Sequence, residues 1–479
     1  MSISTLSALL PASGLGNKIT PHPRFAIKPF LALGTIFTLM LLGSSLQART
    51  AIVSDPGGGG GVGGNAASSP GPSYSWVGDV DSTSTATGNK LTTVPTIGWT
   101  VRGGLKVDLT LYHNSEATFV AGSRGAKWSL FYDAAMKADA SGNVEVAWGN
   151  GLVYTFGNNG NGTYLDPPGI HDRLIVNGSP ASSYDIVMKD QVKYHFAPYG
   201  SGGIFYLTTI ADENGNSITV NRASNGGTLG VSDSTGRSAT FGFTGSYYTS
   251  ITDPLNHVVS FGFDGSGNMS TVTYPILNGA SYGITLGYDA NHNVTSYKDQ
   301  RGNTETFFYN SADNSLAWAQ TAAGNQTNFY YGYDSLHGVA NANATSISDP
   351  NSHYTVHYYV NGRLDHVYDP LGNAEYHTYD GDNNVTQMQD RRGYLWKSTY
   401  DGMGNVLTAT PPGGSPTTTT YNGHNRPLTV SLPSGRNIAY AYDALDSRSA
   451  CPRAATSPTL MMPSTHGQPA LGPQHRLRL

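Results

Sequence analysis

Along most of the chain, apolar and polar residues alternate in short runs separated by clusters of turn formers. The stretch "LKVDLTLYHN" (105–114) puts Leu105, Val107, Leu109 and Leu111 on one face, the period of two expected of a half-buried strand. "VEVAWGNGLVYTFGNNGNGTY" (144–164) reads as a hairpin whose first strand ends at Trp148 and whose turn is Gly149-Asn150-Gly151. "YDIVMKDQVKYHFAPYG" (184–200) is again rich in strand formers. A helical period is scarce, and "AKWSLFYDAAM" (126–136) is the one stretch that suggests it.

A longer period lies over this alternation. Tyr358, Tyr379, Tyr400, Tyr421 and Tyr442 fall at intervals of 21 residues. The residues that follow them are Tyr359, Asp380, Asp401, Asn422 and Asp443, and four places after each Tyr stand Gly362, Asn383, Gly404, Asn425 and Asp446. Gly, Asn and Asp tolerate turn and left-handed backbone. Earlier copies begin at Phe263, at Tyr288 with Asp289, and at Tyr309. Between copies an Asp-Pro or Asp-x-x-Gly element recurs, as at Asp253-Pro254, Asp299 to Gly302, Asp349-Pro350, Asp369-Pro370 and Asp390 to Gly393. Each cell then reads as an aromatic strand ending at Tyr, a turn capped by the Asp side chain, a returning strand such as "NVLTAT", and a second turn. A lone hairpin is marginal in water, so the cells must stack. The repeated tyrosines are expected to form an aromatic ladder.

Composition sharpens this picture. Charged residues are only 12% of the 479, and the 30 tyrosines and 59 glycines suit strands and turns. The formal charge of −5 and the lack of a basic block leave no footprint for nucleic acid. One cysteine, Cys451, allows no internal disulfide. At the amino end, "PFLALGTIFTLMLLG" (29–43) follows Lys18, Arg24 and Lys28. This pattern predicts an export signal over 1–48, cut near Ala48, with an uncleaved membrane anchor as the alternative. Residues 49–75 are a Gly/Ser/Pro linker. Residues 76–200 read as a β-rich N-terminal domain, 201–448 as the repeat array, and 449–479 as an aberrant tail in which Tyr vanishes and Pro, Ala, Arg and His rise. The tail is expected to be the product of a frameshift or truncation, with a disordered tail as the alternative.

At these residues the sequence resembles the Rhs and YD-repeat proteins. "YDGMGNVLT" (400–408) matches the repeat, with "YDGDNNVTQ" (379–387), "YNGHNRPLT" (421–429) and "YDANHNVTS" (288–296) as drifted copies. "DPLGN" (369–373) and "DPLNH" (253–257) match the element between repeats. The resemblance implies a hollow β shell, which in bacterial members often encloses a C-terminal toxin; other members act in adhesion. The fold expected is all-β: a coiled or spiralling antiparallel β-sheet of 21-residue hairpin repeats, a fragment of an Rhs-type shell, preceded by a smaller β-rich domain. The structural repeat positions are Tyr288, Asp289, Tyr379, Asp380, Tyr400, Asp401, Gly404, Tyr421, Asn422, Tyr442 and Asp443.

Catalytic signals are few. His353, His357 and His366 cluster in the sequence, but in a strand His353 and His357 are ~13 Å apart, too far for one metal. "GASYG" (279–283), centred on Ser281, has no following helix to make a nucleophile elbow. "GGGGGVGG" (57–64) lacks the Lys-Ser/Thr of a phosphate cradle. The asparates sit beside turns, and the nonapeptide pattern of a calcium solenoid is missing. No catalytic, cofactor or metal residue is expected. The function expected is a non-catalytic shell fragment tied to toxin encapsulation or delivery, secreted or at the cell surface. Its partners would be toxin cargo or the rest of the shell. A glycan-binding or adhesion module is the alternative, and a polysaccharide-active enzyme the third reading.

Overall fold

Among the described residues, every regular element is a strand apart from two single 3₁₀ turns, because the turn formers recur too often for a helix to extend. The computed structural model describes residues 74–76, 81–117, 124–200, 203–277, 280–442 and 448–450. The export segment, almost all of the linker, Asp443 and the tail from residue 451 lie outside these. From Arg173–Asn177 to Asn437–Ala439, each strand pairs antiparallel with the next in sequence. The result is one large antiparallel sheet. The hairpin at 144–158 forms with Ala147 opposite Val153 and its turn closed by Gly151 N–H on the Trp148 carbonyl at 2.9 Å.

Strand Ile204–Ala211 is a branch point. One edge pairs with Lys193–Pro198 along its length. The other edge takes Ala135–Ala138 in its first half and Ser217–Arg222 in its second. A second sheet carries strands Tyr74–Trp76, Asp81–Ser84, Lys90–Val94, Leu111–Asn114 and Trp128–Leu130. The expected helix over 126–136 does not form. Trp128–Leu130 is a strand, Phe131–Asp133 a single 3₁₀ turn, and Ala135–Ala138 a strand. Trp128–Leu130 pairs within the second sheet and Ala135–Ala138 on the branch of the first, and this tertiary pairing overrides the local period.

One apolar core joins the two parts. It contains Val94, Val107, Leu109 and Leu111, and it continues through Ile218, Val231, Val259, Val272, Ile284 and Phe307 to Phe329. The alternation read from the sequence at 105–111 holds for Val107, Leu109 and Leu111, which are buried, while Leu105 is half-buried. The ladder therefore packs one face against residues 94–156. Its other face carries exposed rings such as Phe308, Tyr330 and Tyr376.

Candidate functional site

The repeat places two rows of turns, and both rows use the same device. At Asp401, Oδ1 accepts the N–H of Met403 and of Asn405, each at 2.9 Å, and Oδ2 accepts Asn405 Nδ2 at 2.9 Å. Asp380 does the same with Asp382 and Asn384, and Asp289 with Asn291 and Asn293. Asn422 Oδ1 accepts His424 N–H and Arg426 N–H at 2.9 Å. The Asp-Pro element is built alike: Asp369 accepts Leu371 N–H and Asn373 N–H at 2.9 Å. The fourth turn residue is left-handed in each, with φ of 61° at Asn383, 66° at Gly404, 62° at Asn425 and 81° at Gly372. That is why Gly and Asn recur there.

These hydrogen bonds decide the charge state. Burial pushes the Asp401 carboxyl up, but the Asn405 amide, the two backbone N–H groups and nearby Lys189 together hold it below the usual carboxylate range. Asp253, Asp264, Asp334 and Asp369 are held down in the same way, against burial.

The rows differ in what covers them. Asn373 in the Asp-Pro row is exposed. In the Tyr-Asp row, Asn268, Asn293, Asn384 and Asn405 are buried. The fifth turn residue is thus a second recurring position, beside the Tyr-Asp pair. The signal was present as Asn five places after Phe263, Tyr288, Tyr379 and Tyr400. Asn405 Nδ2 donates on to Asn425 Oδ1 at 2.9 Å, and Asn293 Nδ2 to Asn314 Oδ1 at 3.0 Å, so neighbouring turns are tied.

The tyrosines link cells differently from the expected ladder of stacked rings. Tyr379 Oη donates to the Leu364 carbonyl at 2.6 Å, Tyr400 to Val385 at 2.7 Å, Tyr421 to Val406 at 3.0 Å and Tyr442 to Pro427 at 2.7 Å. Tyr309 and Tyr331 reach Val294 and Leu316 at 2.8 and 2.9 Å. In each case the acceptor lies 15 residues back, at the start of the strand that returns from the previous cell's turn. A bulge at each Tyr, as between Thr378 and Tyr379, turns the ring to that contact. Tyr288 is the variant, reaching the Met269 carbonyl at 2.6 Å while accepting Trp128 Nε1–H at 2.9 Å. Burial pushes the Tyr379 phenol up to about 12, so it stays a donor at neutral pH.

N-terminal segments cover the Tyr-Asp row in order along the sheet. Ala126 N–H binds the Gly267 carbonyl at 3.3 Å. His113 Nε2 lies 2.9 Å from the His292 carbonyl, and Lys127 Nζ donates to Asn293 Oδ1 at 2.7 Å. Leu316 N–H binds the Gly88 carbonyl at 2.8 Å, and Thr85 contacts His357 and Tyr359. Further on, His171 meets Asn384 at 3.2 Å, Lys189 Nζ donates to the Gly404 carbonyl at 2.7 Å, and Asn425 Nδ2 donates to the Lys189 carbonyl at 3.0 Å. Glu213 pairs with Arg426 at 3.0 Å and with His424 at 3.1 Å. Burial lowers the His113 pKa to about 3, so its imidazole is neutral and Nε2–H is the donor to the His292 carbonyl.

Catalytic groups do not converge here. Ser281 lies within strand Ala280–Tyr288, which leads into a turn and the strand Val294–Lys298. The histidines go to separate partners: His353 to Asp349, His357 to Thr85, His366 to Asp365 and His377 to Glu375. Among the described residues no group of three His, Cys, Asp or Glu side chains is placed to hold a metal ion. Among the same residues no helix is long and apolar enough to cross a membrane.

Comparison with known proteins agrees on the repeat. Residues 379–416 match the RHS Repeat family model. No curated protein matches the chain. Among solved structures, the Tc holotoxin pore of Photorhabdus luminescens aligns with 75% of this chain and 18% of its own, at 10% identity and a TM-score of 0.27. The TcdB2-TccC3-Cdc42 crystal structure aligns with 74% and 21%, at 11% identity and a TM-score of 0.26. A porin-like protein from Bacteroides uniformis aligns with 57% and 93%, at 11% identity and a TM-score of 0.15. The chain spans about a fifth of the length of the two toxin chains it is similar to. The RHS repeat is thus matched over residues 379–416, which hold the Tyr-Asp turns of 380 and 401, and in this stretch the chain is similar to the Rhs/YD-repeat proteins.

Proposed function

We propose that this chain is non-catalytic wall: an antiparallel ribbon of 21-residue hairpin cells that coils into part of an Rhs-type shell, for encapsulating or delivering a toxin. Residues 201–448 supply the array and 76–200 the module against which it winds. The carrying observation is the meeting of turns that lie far apart along the ladder. The turn holding Lys189 and the turn holding Gly404 are separated by about 19 strand spacings, roughly 90 Å of flat sheet at ~4.8 Å each. Yet Lys189 and Gly404 are hydrogen bonded at 2.7 Å. A ribbon that curls back on itself accounts for this, and the right-handed strand twist favours it.

The repeat positions have a wall's role in this reading. Tyr288, Tyr379, Tyr400, Tyr421 and Tyr442 tie each cell to the one before. Asp289, Asp380, Asp401 and Asn422 close the turns, Gly404 supplies left-handed backbone, and Asp443 stands at the same place in the next cell. Tyr379 shares a face with His377, whose ring is 6.5 Å away and buried, and Tyr400 shares one with buried Ser398. Inward tyrosines suit a wall better than a sugar-binding stripe. The compartment that fits is outside the cytosol, secreted or at the cell surface, and the partners that fit are toxin cargo and the remainder of a shell.

The test is a Lys189→Cys, Asn425→Cys pair in a Cys451→Ala background. A coiled ribbon forms the disulfide under mild oxidation in dilute solution, read as a faster-migrating band. A protein that stays reduced and monomeric under those conditions defeats the coil. A second reading, an adhesion module, is favoured by the exposed outer-face rings, where Phe308 stacks on Trp318 at 5.7 Å and Tyr330 meets Tyr354 at 6.1 Å. Saturable binding to a glycan array, abolished by Phe308→Ala with Tyr330→Ala, would favour it.

A further inference from the structure

One contact in the seam between the N-terminal segment and the turns differs in chemistry from the rest. Lys127 is buried, at 4% exposure, and holds left-handed backbone with φ 62°, rare for a residue with a side chain. Its Nζ lies 2.7 Å from Asn293 Oδ1 and 2.6 Å from the Ser115 carbonyl. Asn293 is fully buried. The other half of its amide, Nδ2, donates to Asp289 Oδ2 at 3.0 Å and to Asn314 Oδ1 at 3.0 Å. A buried amine, a buried side-chain amide and a half-buried carboxylate are therefore held together in one site. Its surroundings are His113, whose ring is 5.2 Å from Trp128 and 6.1 Å from Tyr288.

We propose that Lys127 and Asn293 join through an intramolecular isopeptide bond. Nζ of the neutral amine attacks Cγ of Asn293. Asp289, already hydrogen bonded to Nδ2, takes one proton from Nζ and passes it to Nδ2. The Cγ–Nδ2 bond breaks, ammonia leaves, and a Cγ–Nζ amide remains. No oxidant or cofactor is consumed. Burial lowers the Lys127 pKa, against the pull of Asp289 and Glu116, which favours the neutral nucleophile. The exclusion of water protects the acyl centre from hydrolysis, and fixed geometry replaces the entropy of encounter.

The site is specific within the row. Asn268 and Asn384 hold the same place in their turns, but their Oδ1 atoms face imidazoles, His292 at 2.7 Å and His171 at 3.2 Å. Lys189 reaches a backbone carbonyl, that of Gly404, which carries no primary amide to release ammonia. The bond would fasten the N-terminal segment to the array across 166 residues, where the reach of the turns depends on non-covalent contacts alone.

Peptide mapping of the purified full chain by tandem mass spectrometry tests this. The expected result is a branched peptide that joins the segments around Lys127 and Asn293, lighter by one ammonia than their sum. Asp289→Asn is expected to return both as linear peptides while circular dichroism stays that of a β protein, and Lys127→Arg likewise. Two linear, unmodified peptides from the wild type would overturn the proposal. So would ammonia loss confined to a linear Asn293 peptide, which marks a succinimide, or a branch that persists in Lys127→Arg.

Discussion

Tyr400→Phe separates the hydroxyl from the ring at a repeat position. The substitution removes one donor, the Oη–H that meets the Val385 carbonyl at 2.7 Å, and keeps the half-buried ring. Val385 is itself buried, so its carbonyl loses a partner that water replaces poorly. The net loss is about 1 kcal/mol, within the 0.5–1.5 range of such bonds. In a repeat array the loss falls on one interface between cells and not on the whole chain. Native-state hydrogen exchange is therefore the assay. Amides of strands Val385–Gln389 and Leu395–Tyr400 should exchange about five times faster, while those of strand Ser183–Val187 keep their wild-type rates. Tyr400→Ala also removes the ring and should cost about 2–3 kcal/mol, somewhat below the cost of emptying a fully buried aromatic site. If Phe matched the wild type at Val385–Gln389, or exchange rose evenly across the chain, the phenol would not be the tie between cells.

Three further outcomes follow from the same geometry. The turn carboxylates Asp253, Asp264, Asp369 and Asp401 are stronger acids folded than unfolded; their stabilisation is complete above the unfolded value near pH 4 and fades as pH drops through the folded values. Urea midpoints should thus begin to fall as pH drops below about 6.5, where unfolded His113 takes up a proton that the buried imidazole does not, and fall more steeply below about 4 as the turn carboxylates titrate, and an acid-insensitive midpoint would contradict this. Gly404→Ala places a Cβ against the His171 ring in left-handed backbone, whereas Gly372→Ala meets open space; both should lose about 1 kcal/mol from backbone strain, with Gly404 losing more, and equal losses by chemical denaturation would refute the closeness of His171. The Glu213–Arg426 pair is partly exposed, so Glu213→Gln should cost under about 1 kcal/mol and nothing measurable in high salt; a salt-independent loss would count against a surface ion pair.

How far the sequence foretells this structure depends on the range of each interaction. Turn chemistry is local, so Asp401 with Asn405, or Asp369 with Asn373, can be read from five residues, and the 21-residue interval then exposes the cells. The alternation at Val107, Leu109 and Leu111 is equally local. The phenol contact already escapes such reading, because its acceptor lies 15 residues away and is a backbone carbonyl, which any residue supplies. Tyr therefore looked like ring surface, and its hydroxyl carried no visible partner. The seam escapes entirely. His113, Lys127, His171 and Lys189 meet turns 179, 166, 213 and 215 residues away, and they share neither period nor residue type. Burial makes the difference between the two rows of turns, and nothing in the Asp-x-x-Gly-Asn pattern announces it: Asn373 is exposed and Asn405 buried, though each gives its backbone N–H and its Nδ2–H to the Asp four residues before it. What the repeat encodes is the cell; which side of the cell is covered is set by the non-repeating segment before it. The side chains with unusual chemistry, buried Lys127 and neutral His113, lie in that segment and not in the repeat.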